Sequence, residues 1–223
     1  MTLRHSIHRT FFFAALWLAA LASSLPAQTS ADVSASRKTL VVLGDSLTAG
    51  YGLDPGDAYP ALLQQKIDAA RLPFTVINAG LSGDTTAGGL RRIDWILKRK
   101  VDVLLIELGG NDGLRGLQPE ATKTNLQGII TKTLAKFPAA KIILAGMKVP
   151  PNMGADYAAR FEKNYADLAR DHQAALIPFL LEGVGGKPEL NLPDRIHPTA
   201  EGHKIVAETV WRVAEPVLKA ATP

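Results

Sequence analysis

Between Thr39 and Ile177, short β-branched and apolar runs alternate with longer stretches whose apolar residues recur every three or four positions. No other feature narrows the fold as much. The short runs are Thr39–Leu43, Phe74–Ile77, Val101–Leu108, Lys141–Ala145 and a weaker Ala175–Ile177. Leu62, Leu63, Ile67 and Ala70 form one helical stripe, with Asp57 and Pro60 as start signals. Leu126, Ile129, Ile130, Leu134 and Phe137 form another, stopped by Pro138. Ala158, Phe161, Tyr165 and Leu168 make a third, and Ile205, Val206, Val210, Val213 and Val217 a last. Strands alternating with helices need crossover connections, which makes the sheet mostly parallel and covers both of its faces. The expected fold is α/β: a three-layer α/β/α sandwich with a mostly parallel five-stranded sheet and one core. In such sheets, ligands bind in loops beyond the carboxyl ends of the strands.

The first residues stand apart from this pattern. Arg4, His5, His8 and Arg9 are basic, Phe11–Leu25 is apolar without a charge, and small residues follow around Ser23, Ser24, Ala27 and Ala31. That is the order of a secretory signal peptide, and the run is short for a membrane span of roughly 20 residues. Residues 1–27 are read as the signal peptide, with cleavage after Ala27 or Ala31; an uncleaved anchor is the alternative. Residues 28–37 are then a polar linker and 38–223 one domain of about 190 residues, enough for a substantial core. The expected location is periplasmic or secreted, without stable membrane insertion after signal removal. The chain has no cysteine, which excludes disulfides, thiol nucleophiles and thiolate metal sites. Loss of Arg4 and Arg9 with the signal lowers the formal net charge from +4 to +2, too small an excess to suggest a nucleic-acid partner. Nothing in the helix stripes calls for a second chain, so a monomer is expected.

The polar residues of interest fall where the strands end. They are Gly44-Asp45-Ser46-Leu47-Thr48, Asn78 to Thr85, Gly109-Gly110-Asn111-Asp112-Gly113, and Asp194-Arg195-Ile196-His197-Pro198 before the final helix. Ester cleavage by serine requires a hydroxyl beside a neutral imidazole, a carboxylate that orients the imidazole, and donors waiting for the oxyanion. Ser46 at a strand-to-helix turn, Asp194 three residues before His197, the N–H of Gly83 and the side-chain amide of Asn111 supply each part. Taken singly, each has a plainer use. Ser46 serves as a helix N-cap, Gly83 as a turn glycine and Asn111 as a loop cap, while Asp194 and His197-Pro198 begin a helix capped by Thr199.

Together, Gly44-Asp45-Ser46-Leu47, Gly83, Gly110-Asn111-Asp112 and Asp194-x-x-His197 resemble the four blocks of the SGNH (GDSL) hydrolase family, in the family's order. The resemblance runs from about Lys38 to the final helix, and it is nearest the bacterial periplasmic acyl-CoA thioesterase, lysophospholipase and arylesterase branch. Leu108–Gly116 is especially similar to that branch. The resemblance implies the flavodoxin-like SGNH fold and hydrolysis of carboxylic esters and thioesters, with small-molecule or lipid esters as substrates. It makes Ser46 the nucleophile, His197 the base and Asp194 its orienter. It places Ser46, Gly83 and Asn111 in the oxyanion hole. It implies neither a metal nor an organic cofactor.

Leu114 and Leu117, between glycines, are candidates for a wall against an acyl chain. Ser82 is a rival serine, but neither it nor Ser46 sits in the Gly-x-Ser-x-Gly elbow of α/β-hydrolases. His172 is expected at a helix end and His203 as packing or surface. Asp45 and Asp112 are expected to bond to local backbone, with a part in substrate positioning as the alternative for either. Met147, Met153 and the tryptophans are expected in the core or lining the groove. The alternatives in function are a carbohydrate deacetylase of the same fold, a catalytically silent binding module, and a flavodoxin-like electron carrier.

Overall fold

The computed structural model describes residues 1–2 and 37–222; the signal-peptide reading and nearly all of the linker lie outside the described residues. Five strands are present: β1 Lys38–Gly44, β2 Phe74–Gly80, β3 Val103–Glu107, β4 Lys141–Ala145 and β5 Ala175–Ile177. The helices are α1 Ser46–Ala49, α2 Tyr59–Ala69, α3 Thr86–Ile96, α4 Gly110–Leu114, α5 Pro119–Lys136, α6 Ala155–Asp171 and α7 Ala200–Ala220. All strand pairs are parallel, in the order β2-β1-β3-β4-β5.

The strands form where apolar residues run without alternation, because both faces of the sheet are covered. β3 is buried throughout, and β1 and β4 are buried except at their first residues. The edge strand β2 is only half-buried, which limits its apolar run to the first four residues although pairing continues to Gly80. Leading away from β1 in opposite directions, the chain places its helices on opposite faces. α2 and α7 pack together on one, and α3, α5 and α6 on the other.

Helix ends follow their local signals. Pro60 and Pro119 occupy first-turn positions, and Thr85 and Thr199 cap α3 and α7 through their hydroxyls. Asp57 lies instead in a single 3₁₀ turn before α2 and makes no side-chain cap. The stripe of α7 is rotated from its sequence reading: Val206, Val210, Ala214 and Leu218 are buried, while Ile205, Val213 and Val217 are partly covered. Among the described residues, no helix is long and apolar enough to cross a membrane.

Parallel register brings three strand ends together. Gly44 of β1 lies beside Gly80 of β2 on one side and Glu107 of β3 on the other. The three strands therefore end in one row. The chain reverses across the sheet here, at the kind of switch point where open α/β sheets form a crevice.

Candidate active site

At the end of β1, Asp45 rather than Ser46 caps the short helix α1: its Oδ1 accepts the N–H of Leu47 at 3.0 Å. Ser46 is thereby left at the first helical position, where a backbone N–H has no helical partner. Among the described residues, neither the Ser46 nor the Gly83 N–H has a protein acceptor. Gly83 sits at φ +79°, a conformation that glycine adopts without strain.

Opposite this row, Asn191–Pro198 closes a narrow hairpin on the way to α7. Leu192 N–H donates to His197 O at 2.7 Å, and the Asn191 amide donates to Val184 O and Lys187 O. Asp194 sits at its tip. One carboxylate oxygen accepts the N–H groups of Ile196 and His197 at 2.9 and 3.0 Å, and the other meets His197 Nδ1 at 2.7 Å. The far ring nitrogen of His197, Nε2, lies 2.9 Å from Ser46 Oγ. Residues 151 positions apart are thus in hydrogen-bond contact.

Electrostatics differ sharply between the two acids nearest this contact. The His197 N–H, then the His197 ring and the Ile196 N–H, hold the Asp194 carboxyl down at about 2. Burial pushes Asp45 up to about 6, against the pull of the Leu47 N–H and the Asn111 amide. Asp194 is therefore a fixed negative charge beside the imidazole, whereas Asp45 sits where charge is costly.

Asn111 opens α4 after β3. Its Nδ2 donates to Asp45 Oδ2 at 3.1 Å and to the carbonyl of Asp84 at 2.9 Å, so both amide hydrogens have partners. It lines the groove beside Ser46, and serving as the expected oxyanion donor requires sharing a hydrogen already engaged. Asp112 departs from the local role expected of it. It accepts the N–H and hydroxyl of Thr86 at the start of α3, and the hydroxyl of Thr122 on α5.

A groove of 550 Å³ opens beside Ser46 and His197. Leu114, Met147, Val149, Phe179 and Leu181 supply apolar wall, while Lys148 and Arg195 are its basic side chains. Neither cation has a carboxylate partner among the described residues, and Lys148 lies over the Phe179 ring at 5.1 Å. Leu117, expected beside Leu114, does not line the groove. Its carbonyl accepts the hydroxyl of Tyr157 instead, so the wall is made by Leu114 without it. Trp95 faces solvent under Arg99, outside both core and groove, and Met147 lines the groove as expected. His203 is buried, its Nδ1 accepting the N–H of Tyr59, and burial lowers it to about 4. His172 caps the end of α6.

Two participants carry no motif in the sequence. Arg92 of α3 donates to Gly44 O, Ala79 O and Asp84 Oδ2, clamping the ends of β1 and β2 and the Gly83 loop together. Tyr51 packs against the His197 ring at a tilt of 37°, with centroids 4.4 Å apart. Among the described residues, no group of three or more His, Asp or Glu side chains is placed to hold a metal.

The profile of the GDSL-like Lipase/Acylhydrolase family matches residues 42–205. Esterase TesA of Pseudomonas aeruginosa is 41% identical over 185 residues, covering 82% of this chain and 91% of that protein. Thioesterase 1/protease 1/lysophospholipase L1 of Escherichia coli is 37% identical over 185 residues, covering 82% and 86%. The crystal structure of TesA superposes with a TM-score of 0.77 at 41% identity, over 80% of this chain and 99% of that one.

Proposed function

The chain belongs to the GDSL-like Lipase/Acylhydrolase family and is an ester and thioester hydrolase, and we propose that it works by two-step acyl transfer through Ser46. The observation that carries this reading is the continuous contact Ser46 Oγ, His197 Nε2, His197 Nδ1, Asp194 Oδ2, at 2.9 and 2.7 Å. His197 takes the hydroxyl proton as Ser46 attacks the carbonyl carbon, and Asp194 stabilises the imidazolium that forms. The unpartnered N–H groups of Ser46 and Gly83 receive the oxyanion, with Asn111 sharing an amide hydrogen. His197 returns the proton to the departing alcohol or thiol. Water, activated by the same imidazole, then frees the acid and Ser46.

The groove supports amphiphilic substrates. Apolar wall suits an acyl chain, and Lys148 and Arg195, without a carboxylate partner among the described residues, suit a phosphate-bearing leaving group, as in an acyl-CoA or a lysophospholipid. A carbohydrate deacetylase has less support, because the groove offers few polar side chains free to bind a sugar.

Hydrolysis of p-nitrophenyl esters from acetate to palmitate, by wild type and Ser46→Ala, tests the assignment. Turnover is expected to vanish in the variant; equal rates would remove Ser46 from the mechanism. Asn111→Ala is expected to lower kcat on the order of 10²–10³-fold, and an unchanged kcat would strike it from the oxyanion hole.

A further inference from the structure

Glu107, the last residue of β3, is a fully buried carboxylic acid that the acyl-transfer steps do not use. Burial first, and the nearby Asp45 carboxyl second, push it well above the usual carboxylate range. Its two oxygens have unequal surroundings. Oε1 has no hydrogen-bond partner among the described residues. Oε2 accepts two hydrogens: the Asp45 N–H at 3.2 Å and the Thr48 hydroxyl at 2.6 Å. Those donors flank Ser46 on either side.

The surroundings are shaped to permit this double contact. A Cβ on Gly44 would stand 2.0 Å from Thr48 Oγ1 and 2.4 Å from Glu107 Oε2, so the pair can meet only across a glycine. Because the Thr48 hydrogen goes to Glu107, the Tyr59 hydroxyl donates to Thr48 Oγ1, at 2.7 Å. The Tyr59 N–H in turn donates to His203 Nδ1 on α7, at 3.0 Å. A buried polar chain therefore runs from the helix that follows His197 to the turn that carries Ser46. An apolar side chain at position 107 would avoid an idle buried oxygen, and a buried polar group with an unmet valence calls for a reason.

We propose that Glu107 is a positioning residue: by accepting from Asp45 N–H and the Thr48 hydroxyl, it fixes the turn on both sides of Ser46 so that the nucleophile's hydroxyl and N–H point into the site. It touches no substrate and transfers no proton. Its contribution lies in geometry, and misplacing a reacting group by 1 Å costs on the order of 10²-fold in rate.

The test compares Glu107→Leu with Glu107→Gln in kcat, KM, Tm and the rate at which a phosphonate ester inactivates Ser46. Leucine fills the space and removes the acceptor, so kcat and the inactivation rate are expected to fall about 10- to 100-fold with little change in KM. Glutamine keeps an acceptor oxygen at Oε2 but places an unpaired amide where Oε1 was idle. Its Tm is expected to drop while kcat stays near wild type. A purely structural role predicts kcat following Tm in both variants, and wild-type kcat in Glu107→Leu, or equal losses in the two, would overturn the proposal. If Glu107→Leu does not fold, Thr48→Val removes one of the two bonds, together with the acceptor for Tyr59, and is read against Tyr59→Phe, which keeps the Thr48–Glu107 bond. A several-fold loss of kcat supports the proposal there, and no loss refutes it. Because the proposal rests on Ser46 as nucleophile, Ser46→Ala is measured alongside. An active Ser46→Ala refutes the site, whereas an inactive Ser46→Ala beside a fully active Glu107→Leu refutes only the positioning role.

Discussion

Ser46 is held by residues distant in the sequence, whereas His197 sits on a loop that holds itself. Around Ser46 the partners are Glu107, Asn111 and Arg92, on β3, α4 and α3, and the acids there are buried. Around His197 the hydrogen-bond partners on its own loop are Asp194 and the Leu192 N–H, within one hairpin, with the Tyr51 ring against the imidazole from outside it, and the Asp194 side chain is 37% exposed. Ser46 needs several strand ends to be in register before it is placed. His197 needs only its own turn and correct docking of that turn by α7. The proposed site is thus built from a long-range half and a local half, which meet at one hydrogen bond.

The largest effect expected from this difference is catalytic loss without loss of fold. Asp194→Asn keeps an acceptor for the Ile196 and His197 N–H groups but turns a donor toward His197 Nδ1. Its kcat is expected to fall by about 10⁴, with Tm lowered only as far as loss of the stabilising Asp194 charge requires. A large Tm drop would show that the hairpin is not self-contained. On the other side, Arg92→Ala strips the clamp from Gly44 O and Ala79 O and leaves Asp84 buried without its cation. Stability is expected to fall by about 3 kcal/mol, together with kcat, in denaturant unfolding and ester assays. Loss of kcat alone would break the comparison.

The two acids should also give stability slopes of opposite sign against pH. Asp194 is lowered to about 2, so the unfolded chain binds more protons below its usual value of 3.8. Its stabilising effect is complete above that value and is lost as pH falls toward 2. Asp45 is raised to about 6, so the native state binds more protons between 3.8 and 6. Stability there falls as pH rises. His203, lowered to about 4 from 6.5, acts in the opposite sense over much of the same range, so variants rather than wild type isolate each group. Tm of Asp45→Asn relative to wild type is expected to improve from pH 4 to 6, and a flat difference would remove the burial cost assigned to Asp45. The smallest effect belongs to the groove. Leu114→Ala is expected to shift the preferred acyl-chain length with a change of about 10-fold in relative kcat/KM. Leu117→Ala should leave the preference as it is, and a shift there would place Leu117 in the groove.

The sequence is most informative where structure is local. β4 and β5 run from Lys141 to Ala145 and from Ala175 to Ile177, as their apolar runs indicate. The caps at Thr199 and His172 are equally readable, because a cap depends on neighbouring residues. α3 is not. Gly88 and Gly89 interrupt its apolar stripe; a Cβ at Gly89 would come within 2.3 Å of Leu108, so close packing with the sheet replaces side-chain bulk. The motif residues stand out because their types and order are distinctive. Glu107 reads as one charge inside an apolar run, since its partners lie 59 and 62 positions away, and Arg92 as one of many arginines, since its bond to Gly44 O spans 48 positions. Leu117 falls outside the groove for a related reason: apolar residues set among glycines do not say which side chains face it.

The most direct measurement of the central claim is mass spectrometry of the protein inactivated by an ethyl phosphonate ester, with residual activity followed in step. The expected result is one adduct, on the peptide that carries Ser46, forming as activity disappears and absent from Ser46→Ala. An adduct on another residue that tracks the loss of activity, or full activity with Ser46 modified, would contradict acyl transfer through Ser46.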